Sequence, residues 1–441
     1  MSTYAELHSH LYGCISPEIL FNIGKNNPKP RWEIFTSDYT KAYGKKIDPE
    51  NFFTEYSDIK KFRSLYLFSE PGNFLGFQAK FNLIIALVEF TPKEIKQLAK
   101  DIYTQQIEEN VSYAEYRFMN SPGANRDLYL QRIRAACVGF AEAEAQMSSA
   151  SQARLAVSLH RGGNYEEVYT WLKEFQEEDA TIAKYLVAID FCHIEENHPP
   201  LAKKEFFEKV NKDNAAVPDK ALAILYHVGE SYTDKTIKSA MRWVLEAAEY
   251  GAHRLGHCLS VGIEPEEHLG KRKKETVAER IAQLTFELKY YDLIHSFGTT
   301  QAELSIINEL ESLKNKELTD LVPFAMNENY IVELNTFRRF AADFLRKKKV
   351  CVECCPTSNM LIGGIKDLEW HPLRFFVENE IPVVIGSDDP GIFNTNLAKE
   401  FAMAEKIGLT QEQLAKLRED AFLYTSEKLS GRIAIEDEDN K

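Results

Sequence analysis

The sequence predicts a closed (β/α)8 TIM barrel, an α/β fold, and three observations predict it. Short strand-like runs alternate with longer helical patterns, as they do in parallel α/β proteins. Eight such runs occur, near Ala5–His10, Ser112–Phe118, Arg154–His160, Tyr185–Phe191, Ala221–His227, Ala252–His257, Val350–Cys354 and Pro382–Ser387, and eight strands close a barrel of this type. Finally, Leu155-Ala156-Val157, Leu186-Val187-Ala188-Ile189, Leu222-Ala223-Ile224-Leu225 and Val383-Val384-Ile385 are apolar without interruption. Strands covered on both faces look like this, whereas half-exposed antiparallel strands alternate.

The elements follow in order. The first strand ends in Glu6-Leu7-His8-Ser9-His10, with Gly13 and Pro17 closing the turn region. Residues 14–85 hold aromatic-rich helical pieces, expected as extra N-terminal structure over one end of the barrel. Phe74, Phe77, Phe81 and Leu83 are candidate lid or core residues there. A helix is expected from Pro92 to Ile107, with proline at its start and Ile95, Leu98, Ala99, Ile102 and Ile107 on its apolar side. A second is expected over Asp234–Tyr250, with Ile237, Met241, Val244, Leu245 and Ala248 on one stripe.

Between His257 and Val350 the chain is longer than one helix and two loops require. A helical insertion between strands six and seven, at about 262–325, is expected. Its helices are read over Lys271–His295, with Val277, Ile281, Leu284 and Leu288 at helical spacing, and over Thr300–Lys314, with Leu304, Ile307 and Leu310. A solvated helix pair packed on the barrel is the expected arrangement; a homo-oligomer surface is the other. The tail Glu436–Lys441 is read as frayed. The whole chain, 1–441, reads as one barrel domain with no repeat or low-complexity linker.

Composition excludes several classes. The net charge of -14 argues against nucleic-acid binding and against an anionic membrane surface. No apolar run approaches the ~20 residues that span a bilayer. A cleaved leader would remove the histidine pair at residues 8 and 10, so no signal peptide is expected. The seven cysteines are odd in number and scattered. Cys351 and Cys354 lie three apart in a strand-like run and would point to opposite faces, against chelation or a local disulfide. A reduced, cytoplasmic protein follows.

Barrel active sites gather at the C-terminal ends of the strands. Strand one ends in His8 and His10, two apart and so on one face. Strand five ends in His227, strand six in His257, and strand eight in Asp388-Asp389-Pro390. Three histidines and an aspartate supply the nitrogen and oxygen ligands that Zn²⁺ prefers, with a position left for water. Glu230, three residues past His227, can serve as general acid, or be a helix-terminal carboxylate. His257 can orient or deprotonate the water. Of Asp388 and Asp389, one can ligate while its neighbour points toward substrate, or Asp389 can be a turn residue before Pro390. A metal bridged by lysine at the end of strand four is excluded, because Ala188-Ile189-Asp190-Phe191-Cys192-His193 carries none. The H-x-E … P-C-x-x-C deaminases are excluded by the spacing His227-x-x-Glu230.

Seven signatures stand in order along the chain. They are His8-Ser9-His10-Leu11-x-Gly13, Phe74-x-x-Phe77-x-x-Lys80-Phe81, Tyr113-x-Glu115-x-Arg117, His227-Val228-Gly229-Glu230, Arg254-Leu255-Gly256-His257, Cys355-Pro356-Thr357-Ser358-Asn359 and Ser387-Asp388-Asp389-Pro390. Through them the chain resembles the adenosine deaminase family of the amidohydrolase superfamily, which includes adenosine, AMP-type and adenine deaminases. The resemblance implies one Zn²⁺ per chain, held by His8, His10, His227 and Asp388. It implies that Glu230 protonates the purine ring nitrogen, that His257 and Asp388 act with it on the metal-activated water, and that Asp389 hydrogen-bonds the imidazole-ring nitrogen.

Tyr12 stands where adenosine deaminases proper have an aspartate for the ribose, and His193 where they have a glycine after strand four. With Gly229, these are the further positions expected to face substrate. The implied reaction is hydrolytic deamination of a 6-aminopurine nucleoside, adenosine or an analogue. Adenine, AMP or an N6-modified compound are the alternative substrates, and a non-catalytic binding protein on the same barrel is the alternative function.

Overall fold

The computed structural model describes residues 3–120, 125–147 and 150–434. Eight parallel strands follow one another around the barrel in chain order: β1 (Tyr4–His10), β2 (Val111–Met119), β3 (Gln152–Ser158), β4 (Leu186–Phe191), β5 (Ala223–Val228), β6 (Arg254–His257), β7 (Cys351–Cys354) and β8 (Val383–Ile385). All eight lie where the strand-like runs placed them, with ends shifted by a few residues. The barrel closes through the backbone just past β8, where Asp388 N–H donates to His8 O at 2.8 Å and His10 N–H donates to Asp388 O at 2.8 Å. Closure therefore draws one candidate ligand against two others. β4, β5 and β6 are buried along their whole length, which is why their sequences do not alternate.

The N-terminal excursion supplies helices Pro17–Asn26, Trp32–Tyr43, Phe52–Glu55, Ile59–Tyr66 and Phe74–Leu87. It is tied to the loops after β7 and β8, with Gly72 N–H donating to Leu361 O and Phe68 N–H to Ile392 O. The excursion thus roofs the C-terminal mouth. Leu83 is fully buried core, while Phe74, Phe77 and Phe81 line the cavity beneath. The expected helix at Pro92 spans Pro92–Glu108, started by Thr91, whose hydroxyl accepts from Glu94 N–H.

The segment after β6 departs from the expected all-helical insertion. Arg272–Thr276, read as the start of a helix, is a strand paired antiparallel with Leu321–Ala325. Helices Val277–Lys289, Tyr291–His295 and Glu303–Leu313 stand between the two strands. They enclose a small core of their own, formed by Val277, Leu284, Ile306 and Leu313. All seven cysteines are buried and unpaired, as the spacing of Cys351 and Cys354 suggested. Among the described residues no helix is long and apolar enough to cross a membrane. The tail read as frayed lies outside the described residues.

Candidate active site

A cavity of about 770 Å³ opens at the C-terminal mouth of the barrel. His10, Tyr12, His193, His227, Glu230, His257, Asp388 and Asp389 line it, and His8 lies fully buried directly behind. Residues from strand ends far apart in sequence are therefore assembled in one place. His8, His10 and His227 each bring one ring nitrogen to within 4.8 Å of the others. Asp388 Oδ1 is 3.6 Å from His8 Nε2 and 3.3 Å from His10 Nε2.

Two of these imidazoles are oriented from behind. His8 Nδ1 lies 2.8 Å from Glu353 Oε2, and His227 Nδ1 lies 3.0 Å from Asp190 Oδ1. Burial opposes the charge on both carboxyls. The guanidinium groups of Arg117 and Arg254 outweigh it at Glu353, and the His227 ring does so at Asp190, so both are held well below the usual carboxylate range. An ionised carboxylate accepts, so each ring carries a proton on Nδ1 and turns Nε2 away from that carboxylate. Both Nε2 atoms are buried and without a hydrogen-bond partner among the described residues. Burial lowers the pKa of His227 and takes that of His10 down to about 3, keeping them neutral. At His8 burial and Arg117 oppose the charged form, but Glu353 and Asp388 outweigh them and raise its pKa, so an ion there would displace a proton. Imidazole nitrogens without other partners, beside one carboxylate, are the donor set a zinc-type cation takes. The residues fit such an ion. Cys355, which sequence reasoning passed over, also comes within the same 4.8 Å of His8 and Asp388, but burial holds its thiol protonated.

The remaining groups face the same space. Glu230 Oε2 is 3.6 Å from His257 Nε2, and Glu230 Oε1 has no hydrogen-bond partner among the described residues. Burial, reinforced by the charge of Asp388, pushes the Glu230 carboxyl up to about 8, so it carries a proton at neutral pH. His257 is held by Asn359. The Asn359 Oδ1 accepts from Cys355 N–H at 3.2 Å, which turns its amide NH₂ toward His257 Nδ1 at 3.1 Å and leaves the imidazole proton on Nε2. Asp389 is buried, its Oδ1 is unpartnered, and burial beside Asp388 raises its pKa. Gly13 leaves room for it: a Cβ at Gly13 would lie 1.6 Å from Asp389 Oδ1. His257, Asp388 and His193 sit at φ values of 64°, 60° and 72°, a backbone region that non-glycine residues rarely occupy and that gathers at functional sites.

Tyr12 packs against Phe90 and Phe118, with ring centroids 4.5 and 5.4 Å away. His193 stands exposed at the rim. Gly229, expected to face substrate, does not line the cavity. Its N–H donates to Glu195 at 3.0 Å and its carbonyl accepts from Ser260 N–H at 2.9 Å, so its one donor is already taken. Glu195, Asp190, Glu353 and Asn359 support the site and were not among the residues singled out for it from sequence.

The adenosine deaminase family profile matches residues 57–285 and 338–435, more than half of the chain. An adenosine deaminase from Enterococcus faecalis is 22% identical over 432 residues, covering 96% of this chain and 93% of that one. An adenosine deaminase-like protein from Drosophila melanogaster is 38% identical over 94 residues, but that match spans only 28% of the relative's length and 21% of this chain. The N6-methyl-AMP deaminase of Arabidopsis thaliana superposes with a TM-score of 0.57 at 16% identity, covering 96% of this chain and 92% of that one, which is a likeness of fold. Barrel, mouth and family profile agree: the chain belongs to the adenosine deaminase family of the amidohydrolase superfamily.

Proposed function

We propose that this protein is a zinc-dependent hydrolase that deaminates a 6-aminopurine nucleoside, adenosine or a close analogue, to the 6-oxo purine and ammonia. The observation that carries the reading is the convergence, at one strand-end cavity, of unpartnered polar atoms on His8, His227, Glu230 and Asp389. His8, His10, His227 and Asp388 would hold the ion. Bound there, a zinc ion supplies a Lewis acid that brings the pKa of water from 15.7 toward ~7.

The side chains do the rest. Glu230, protonated at neutral pH, donates to the ring nitrogen beside the amino-bearing carbon and so makes that carbon more electrophilic. His257 points its Nε2 proton into the same space, where it orients the attacking oxygen and stabilises charge developing there. Asp388 holds the oxygen near His257. Asp389, kept protonated, donates to the imidazole-ring nitrogen of the purine. The oxygen of water ends on the ring carbon as the 6-oxo group, one of its protons in net terms ends on the ring nitrogen, and the other joins the departing NH₂, which leaves as ammonia.

A second reading concerns the substrate's size. The cavity, about 770 Å³, falls within the 300–1,000 Å³ typical of ligand sites and exceeds what a free base needs. Its wall is apolar at Tyr12, Phe74, Phe77, Phe81 and Phe90 and cationic at Arg132 and Lys273, with His160 also lining it. This favours a nucleotide or an N6-modified compound over adenine, with Tyr12 and His193 as substrate contacts. The seven unpaired cysteines support a reduced, cytoplasmic setting.

The test is a UV assay for loss of the aminopurine absorbance with adenosine, AMP, adenine and N6-methyl-AMP, with metal content measured alongside. Turnover of at least one is expected; silence on all of them with zinc bound stoichiometrically overturns the reading. Glu230→Gln should keep its metal and lose at least ~10²-fold in kcat. His10→Ala should lose metal.

A further inference from the structure

The general acid proposed above sits on a turn whose position is set from outside β5. Glu195, in the loop after β4, is buried, and its carboxylate accepts three consecutive backbone N–H groups: Gly229 at 3.0 Å, Glu230 at 3.2 Å and Ser231 at 3.3 Å. Successive N–H groups turned onto one anion form a nest, which needs a left-handed residue, and Gly229 provides it at φ 72°. No other residue type fits there. A Cβ at Gly229 would lie 2.6 Å from Ser260 Oγ and 2.7 Å from Val244 Cγ2.

A second strap holds the start of the same turn. Arg161, in the loop after β3, is buried and donates from Nη2 to His227 O at 2.5 Å and to Phe191 O at 3.0 Å, and from Nε to Cys192 O at 3.3 Å. The peptide from His227 to Ser231 is therefore held at its first carbonyl by β3's loop and at its last three amides by β4's loop. Among the described residues Glu230 Oε1 has no hydrogen-bond partner, and Oε2 only approaches His257 Nε2, at 3.6 Å. Its aim is therefore set largely by its backbone, which Glu195 holds at three successive amides.

We infer that Glu195 is a positioning residue of the reaction: it borders the cavity, but its carboxylate is taken up by three backbone amides, and through them it fixes the turn that aims Glu230 at the substrate ring. The inference rests on Glu230 being the acid. A misplacement of about 1 Å in a reacting group costs on the order of 10²-fold in rate. A carboxylate that merely helped the barrel fold would not show its effect there.

The test compares Glu195→Ala, Glu195→Gln and Glu230→Gln in the metal-loaded enzyme. Glu195→Ala should lower kcat by at least ~10-fold with KM changed by less than ~3-fold, and zinc content and melting temperature should stay near those of the parent. Glu195→Gln keeps an acceptor for the nest and should recover most of the loss. Amide hydrogen exchange supplies a readout apart from activity: a peptide covering 226–236 should lose protection in Glu195→Ala while peptides from β1 to β3 do not. If Glu195→Ala keeps full kcat while Glu230→Gln is impaired, or if Gln rescues nothing, Glu195 does not position the acid. If Glu230→Gln is itself fully active, the acid assignment fails first. Should Glu195→Ala not fold, the Gln variant with the exchange measurement decides: full kcat with the 226–236 amides deprotected overturns the inference, and retained protection with near-parental kcat upholds it.

Discussion

Asp190 and Glu353 do for His227 and His8 what Glu195 does for Glu230: each fixes a neighbour that would otherwise be free to turn. Because Asp190 accepts from His227 Nδ1, it sets the tautomer that leaves Nε2 open. Asp190→Asn removes the ionised acceptor at nearly constant volume. Metal affinity, measured by competition with a chromogenic chelator, should fall 10- to 100-fold, the usual cost of losing such a partner; unchanged affinity would separate Asp190 from the metal. His8, His10, His227, Glu230, His257 and Asp388 were legible as candidates because each lies at or within a few residues of a strand end, and strand ends meet at the mouth. Asp190 could not. It stands 37 residues from His227 and meets it only through the register in which Phe191 lies beside Tyr226. Glu353 is 345 residues from His8 and is reached only when the barrel closes. The partner of Gly229 was hidden for a related reason: a motif match reports where a residue sits, not which loop claims its amide, here that of Glu195.

At the scale of elements, the long barrel helix Ile237–Glu249 shows why periodicity gave only half the answer. Its apolar stripe was legible, yet every residue from Ile237 to Ala248 is buried, the charged ones included. The insertion covers the polar side and supplies the counter-charges. Lys238 Nζ is 3.0 Å from Glu287, Arg242 pairs with Glu279, and Glu275 accepts from Thr236 N–H at 3.0 Å and from Ser239 Oγ at 2.7 Å. Arg272–Thr276 read as helix because Arg-Lys-Lys-Glu-Thr carries no alternating apolar pattern, and its partner Leu321–Ala325 lies too far along the chain to be seen as a hairpin. Since Val277, Leu284, Ile306 and Leu313 form a separate core, the insertion should yield locally. Leu284→Ala should weaken it by about 2–5 kcal/mol. Limited proteolysis should then cut between 296 and 302 while the melting temperature of the barrel moves little. A global loss of stability with no local cleavage would mean that insertion and barrel unfold together.

For the whole molecule, stability against pH is a contest between buried groups of opposite sign. His371 caps helix Pro372–Glu378 by accepting Leu373 N–H at Nδ1, and burial takes its pKa down to about 3 from 6.5. Its folded value is depressed, so the unfolded chain binds the proton more tightly. Stability from this group is present above about 6.5 and is lost as pH falls toward 3. Glu400, buried behind the site and accepting from Thr357 N–H at 2.8 Å, behaves oppositely: burial raises it from 4.5 to about 7. Its stability is present below 4.5 and is lost as pH rises through 7. Each shift amounts to on the order of 3 kcal/mol or more across its full window. The two can be separated by variants that keep the hydrogen bond and remove the titration. His371→Asn preserves an N-cap acceptor, so relative to the parent it should gain about 2–3 kcal/mol when metal-free protein is taken from pH 7 to 4.5. Glu400→Gln should gain between pH 5 and 8 and be nearly neutral below 4.5. Denaturant melts across that range read both slopes, and two variants sloping the same way would mean that one of these groups is not held as its burial requires.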